Sequence, residues 1–241
     1  MPVTALALLV VVCVVTYTIE IVFGLAGTIL MLAIMSFAYD SKTLVIYSIL
    51  PQILVGIIGL ARSPRTVELR VLAGMLGAAV VGAVAGLYLF YVFPLTVFEL
   101  ALACAITVFG VYLVSAPDRV RLNGAVARAL DVVAGFSQAL FGISGPITMA
   151  RLLGTVHGKT PIRNYALAFF LSLNLFRAGG YLIQGTFTPE VQVMMLVSGP
   201  VLVVSLWFSN RLHFHVNERV FRRVVTWMIL LGGLSLLVRA V

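Results

Sequence analysis

Eight apolar stretches follow one another along the chain with only short gaps between them, at 3–37, 43–61, 71–91, 94–114, 126–153, 162–183, 191–209 and 220–238. A helix of about 20 apolar residues crosses a hydrocarbon core of about 30 Å. Within that core a chain must satisfy its own backbone polar groups, which leaves helices or closed barrels. Continuous apolar runs, without strand-like alternation, select helices. The expected fold is therefore an all-α polytopic membrane protein. Composition excludes the alternatives: 62% of residues are apolar and 10% charged, against about 45–50% and about 25% in soluble domains. Coiled-coil, collagen-like and disordered chains do not carry such runs.

The formal charge of +8 does not indicate a nucleic-acid partner, because the Lys and Arg residues cluster in the gaps between apolar stretches, where they act as topology signals. Cys13 and Cys104 lie inside apolar stretches and read as small hydrophobes. His157, His213 and His215 fall in basic gaps without a ligand set around them, so neither a metal nor a cofactor is expected. The start Met-Pro-Val-Thr-Ala lacks a basic region and runs straight into apolar sequence, so the first stretch reads as a retained span.

Stretches one and five are too long for simple crossings, and both are interrupted by glycine. Val22-Phe-Gly-Leu-Ala-Gly-Thr-Ile-Leu-Met31 aligns with Leu140-Phe-Gly-Ile-Ser-Gly-Pro-Ile-Thr-Met149 at a constant offset of 118, with Phe23/Phe141, Gly24/Gly142, Gly27/Gly145, Ile29/Ile147 and Met31/Met149 shared. Four stretches follow the same plan in each half, so residues 1–118 and 119–241 read as two membrane repeats of one integral domain. Glycine-interrupted helices at corresponding places of two halves are the best sequence pointer to a transport site.

Charge counting decides how the repeats are oriented. If all eight stretches cross once, Lys and Arg divide seven against eight and define no inside. If stretches one and five turn back at their glycine-rich breaks, thirteen stand on one side and only Lys42 and Arg239 on the other, with Arg177 inside a stretch. The expected topology is two inverted repeats with both termini outside and the gaps at 62–70, 115–125, 154–161 and 210–219 inside. Residues 146–154 agree, since as helix they rise only about 14 Å. The matching arm at 28–37 is apolar throughout and long enough to extend farther.

At the second break Ser144 is expected to be the N-cap and Pro146 to begin a new helix. A helix N-terminus at membrane depth presents free N–H groups and a positive dipole end, which favours an anion. Thr28 stands at the place of Pro146 in the first break, and Gly24, Gly27, Gly142 and Gly145 allow close backbone approach. Glu20 lies one helical turn before Gly24 and Gln138 is its repeat partner; Glu20 is the candidate for a coupling proton, with local hydrogen bonding as the alternative. Arg177 either neutralises a bound anion or snorkels to the interface from about 9 Å away. Asn174, Gln52 and Ser48 complete a site or serve as cross-helix polar contacts. Asp131 is expected to pair with Arg128.

This arrangement resembles the sulfite exporter TauE/SafE family, bacterial membrane proteins of two homologous halves, each opening with a Phe-Gly-x-x-Gly motif. Here the motifs are Phe23-Gly-Leu-Ala-Gly27 and Phe141-Gly-Ile-Ser-Gly145, the second followed by Pro146 and the first by Thr28. The resemblance covers nearly the whole chain and implies a secondary transporter, not an enzyme, for sulfite or an organosulfonate in the cell inner membrane. Its partners would be that anion, membrane lipid and a coupling proton or sodium ion; a homodimer stays open. An anion channel is the main alternative. Gly142-Ile-Ser144-Gly145 also resembles the Gly-x-Ser-Gly of rhomboid proteases, a reading that needs a histidine at membrane depth.

Overall fold

The computed structural model describes residues 3–61, 63, 66–115, 122–211 and 227. Residues 116–121 of the basic gap at 115–125, with Arg119 and Arg121, lie outside the described residues, as do His213, His215 and, Trp227 aside, the eighth apolar stretch. Ten helices occur among the described residues, and no strand: α1 (Val3–Phe23), α2 (Gly27–Met35), α3 (Ser41–Tyr47), α4 (Ile49–Ala61), α5 (Leu69–Val92), α6 (Leu95–Ser115), α7 (Gly124–Phe141), α8 (Gly145–Leu153), α9 (Lys159–Ile183) and α10 (Pro189–Ser209). Six stretches among them, counting α3 and α4 as one, are long and apolar enough to cross a membrane.

The chain leaves helical geometry between α1 and α2 and again between α7 and α8. Gly24 at φ 78° and Gly142 at φ 74° take left-handed backbone that a Cβ disfavours. Ala26 takes the same region at φ 80° without glycine's freedom, a strain that packing at the break must hold. Beyond each break stands a nine-residue helix, about 14 Å long and half the apolar core. The arm at 28–37, long enough to extend farther than a half-helix, is helical only to Met35, and Asp40 then caps the next helix by accepting from Thr43 N at 2.8 Å. α8 begins and ends 118 residues after α2.

Between α3 and α4 the helix is interrupted at Ser48. Pro51 has no N–H to offer Tyr47 O, and the Ser48 hydroxyl donates to Val45 O at 2.7 Å.

Small residues set the closest helix pairs. On α5, a Cβ at Gly82 would strike the backbone of Val132 and Phe136; on α7, one at Gly135 would strike the backbone of Ala79. No side chain separates the two helices, which is how membrane helices gain contact without a hydrophobic drive between them. At the centre α4 lies against α9, with Gly56 facing Leu171 and Gly59 facing Leu167. Val81, Val84, Val204 and Phe208 are exposed on the outer faces, as lipid contact requires.

One pairing differs from expectation. Asp131 is buried and meets Arg151 at 3.2 Å, not Arg128, which is exposed. The turn at the second break lays α8 back along α7 and brings Arg151 to the inward face that Asp131 occupies.

Candidate functional site

Both breaks meet in the interior, where Leu25 of the first lies against Gly145 of the second; a Cβ on Gly145 would stand 3.1 Å from that of Leu25. A small cavity of about 20 Å³ opens between them, lined by Glu20, Thr28, Gln52, Gln138, Ser144 and Phe170 among others. That is room for about one water. Anything larger requires the surrounding elements to part.

A continuous hydrogen-bonded chain runs through the site. The Glu20 carboxylate accepts from Thr28 N at 3.0 Å and from the Thr28 hydroxyl at 3.4 Å. Tyr17 Oη lies 3.2 Å from the same hydroxyl. Gln52 Nε2 donates to Thr28 Oγ1 and, at 2.7 Å, to Gly142 O, so one amide on α4 bridges the two breaks. Gln138 Nε2 donates to Gln52 Oε1 at 2.7 Å and to Asn174 Oδ1 at 3.2 Å, while Gln138 Oε1 accepts from Ser144 Oγ at 2.8 Å. Arg177 Nη1 then donates to Asn174 Oδ1 at 2.7 Å and Nη2 to Val45 O at 3.1 Å.

The two helix starts are not equivalent. Glu20 already occupies the N-terminus of α2 through Thr28 N, as an acid at a positive dipole end should. At α8 the matching side chain is Gln138, which is uncharged. Ser144 holds the N-cap position, yet its hydroxyl makes no cap bond and turns to Gln138 instead. The expected side-chain cap is therefore absent, because the neighbouring amide competes for the same hydroxyl.

Arg177 does not snorkel. It is 0% exposed, its guanidinium is held by Asn174, Val45 O and Tyr181, and its Nε has no partner among the described residues. A Cβ on Gly142 would come within 3.2 Å of Arg177 Nη2 and 3.0 Å of Ser48 Oγ, so glycine there lets the arginine reach the end of α7. Gly142 and Gly145 line the cavity, whereas Gly24 and Gly27 do not. Gly24 provides the turn, and Gly27 admits Glu20, whose carboxyl a Cβ would strike. Asn174 and Arg177 stand behind Gly142, one layer from the cavity.

Sequence reading missed one residue of this region. Arg163 counts as a loop charge when tallied for topology, yet it is only 3% exposed. Its Nε and Nη2 donate to Ile21 O at 2.8 and 2.5 Å, Nη1 to Ser63 Oγ at 3.1 Å and Nη2 to Asn210 Oδ1 at 2.6 Å. It thus ties α9 to the ends of α1, α4 and α10. The signal in the sequence is Pro161, which suits the first turn of a helix and leaves Arg163 inside an apolar segment.

Residues 8–236 match the sulfite exporter TauE/SafE family. No curated relative and no solved structure matches the chain.

Proposed function

The chain belongs to the sulfite exporter TauE/SafE family of membrane transporters, and from that membership we propose that it is a secondary transporter of sulfite or an organosulfonate in a bacterial inner membrane, with the anion taken between the two glycine-rich breaks. The observation that carries this reading is Arg177, a fully buried cation beside Gly142 whose acceptors are all neutral among the described residues. A buried charge without a counter-charge is costly, and an anion at the neighbouring cavity supplies one. The start of α8 adds the N–H groups of Gly145 and Ile147 and a positive dipole end, Pro146 having no N–H. The Ser144 hydroxyl completes the donors, with Gln52 and Gln138 as neutral walls. The start of α2 joins them only when Glu20 leaves it.

The contacts of α3 and α4 with α9 support the inverted-repeat reading of residues 1–118 and 119–241. Val45 on α3 meets Arg177, and Gly59 on α4 meets Arg163. At the repeat offset of 118, Arg163 is the counterpart of Val45 and Arg177 that of Gly59. The two contacts are therefore each other's images under exchange of the halves, the pattern of a two-fold relation. The index falls on α9 as it rises from α3 to α4, so these equivalent segments run antiparallel. Parallel repeats would cross the membrane in the same direction.

Glu20 is the proposed proton carrier, since it is the only carboxyl on the cavity among the described residues and a chain of hydroxyl and amide groups leads from it. The Ser144 hydroxyl faces an amide, not a base, which favours transport over hydrolysis. The test is flux of radiolabelled sulfite and methanesulfonate into proteoliposomes, with and without a pH gradient. Saturable, gradient-driven flux is expected; unsaturable flux indifferent to the gradient would indicate a channel.

A further inference from the structure

We propose that the site is matched to one net negative charge, so that it takes a monoanion while Glu20 is ionised and a dianion only together with a proton on Glu20. The inference rests on the anion-transport reading and adds the charge class of the substrate and its link to the proton.

The buried ionisable groups around the breaks are few. Arg163 and Arg177 are 3% and 0% exposed, and Glu20 is 5% exposed. Asp131 and Arg151 cancel one another at 3.2 Å. Two cations against one carboxylate leave one positive charge in the interior, among the described residues. Helix ends do not change that sum, because each break joins one C-terminal end to one N-terminal end, of opposite partial charge. Arg163 sits on the C-terminal end of α1 through Ile21 O, and Arg177 reaches the C-terminal end of α7 at Gly142. Both are placed by α9, whose counterpart in the first half carries Val45 and Gly59 instead, so the surplus belongs to this chain's asymmetry and not to the repeat.

Glu20 is the group that can adjust the sum. Its carboxylate occupies the start of α2 as an external anion would, and it faces the same cavity. The titratable groups near it are Tyr17, whose hydroxyl meets Thr28, and farther along Cys13 and Tyr47, which pair with one another. α2 and α4 contain no titratable residue, Arg151 of α8 is paired, and Glu190 of α10 lies in that helix's exposed first turn. A second negative charge on the substrate meets the Glu20 carboxylate across a space about one water wide. A proton from the aqueous side, added to Glu20, removes that repulsion, and Thr28 N is freed for the substrate.

Two anions whose own charge does not change near neutral pH test this: methanesulfonate, a monoanion, and sulfate, a dianion. Binding of each to the purified full-length protein is measured at about pH 6 and about pH 8. In the parent protein sulfate affinity is expected to fall with rising pH, by up to about tenfold per unit for one linked proton, while methanesulfonate affinity does not fall. Glu20→Gln should bind sulfate independently of pH and favour it over methanesulfonate. Gln138→Glu, which adds a carboxyl at the matching place in the other half, should weaken sulfate more than methanesulfonate. A pH-independent ratio of the two affinities in the parent overturns the inference, as does an unchanged pH dependence in Glu20→Gln. If methanesulfonate, sulfate and sulfite all fail to bind, the anion-transport reading itself falls.

Discussion

Glu20 and Gln138 stand at matching places before the two glycine-rich breaks, four residues ahead of Gly24 and Gly142, and only Glu20 can carry charge. For Glu20 the expected outcome of Glu20→Gln is a protein that still binds methanesulfonate but no longer accumulates it against its gradient when a pH difference is imposed; normal pH-driven accumulation would remove the proton role. For Arg177, Arg177→Gln should raise the half-saturating concentration of methanesulfonate several-fold, because it removes the buried positive charge that stands one layer behind the cavity. Arg177→Lys should rescue little, because an ammonium cannot span Asn174 and Val45 O with a planar fork. Equal flux in the parent and both variants would show that the guanidinium serves only packing.

At the scale of the elements, glycine has two separate uses here, and they predict opposite results. On α5, Gly82 lies against backbone of α7, whereas Gly74 and Gly77 on the same helix have nothing near the place of a Cβ. Gly82→Ala should lower thermal stability in detergent by about 1–3 kcal/mol through overpacking. Gly77→Ala should be neutral or stabilising by up to about 1 kcal/mol, since alanine is the better helix former. Equal melting temperatures for the two variants would contradict the α5–α7 crossing. The breaks use glycine differently. Gly142→Ala forces a Cβ into left-handed backbone, at about 1–2 kcal/mol, and crowds the Arg177 guanidinium, so substrate binding should fall with stability.

For the molecule as a whole, the proposed inverted arrangement would put the C-terminal end of α9 outside and its N-terminal end inside. Single cysteines in a chain with Cys13 and Cys104 replaced test it: position 184, after α9, should react with an impermeant thiol reagent from outside intact cells, and position 157, before α9, should not. Reaction at 157 alone would reverse the orientation. Reaction of both from one side would remove the crossing. The small cavity adds a requirement at this scale. With space for about one water, the proposed anion would be admitted only if the elements that line the cavity part.

Apolar run length and the position of glycine are local properties, and the chain alone determined their consequences: a helical membrane protein, the extents of stretches such as 94–114 and 191–209 to within a few residues, and glycines at 24 and 142 where helices stop. Proximity across the fold is not local. That Gln52 bridges Thr28 and Gly142, that Asp131 chooses Arg151 over Arg128, and that Arg163 is interior and not a loop charge depend on which helices pack together. The inequality of the two helix starts is of the same kind. Sequence spacing marks Glu20 and Gln138 as counterparts, but only the fold carries Glu20 onto the N–H of Thr28 and turns Ser144 towards Gln138. A hydrogen bond is a matter of about 3 Å, and two residues far apart in the chain come that close only through the packing of every element between them.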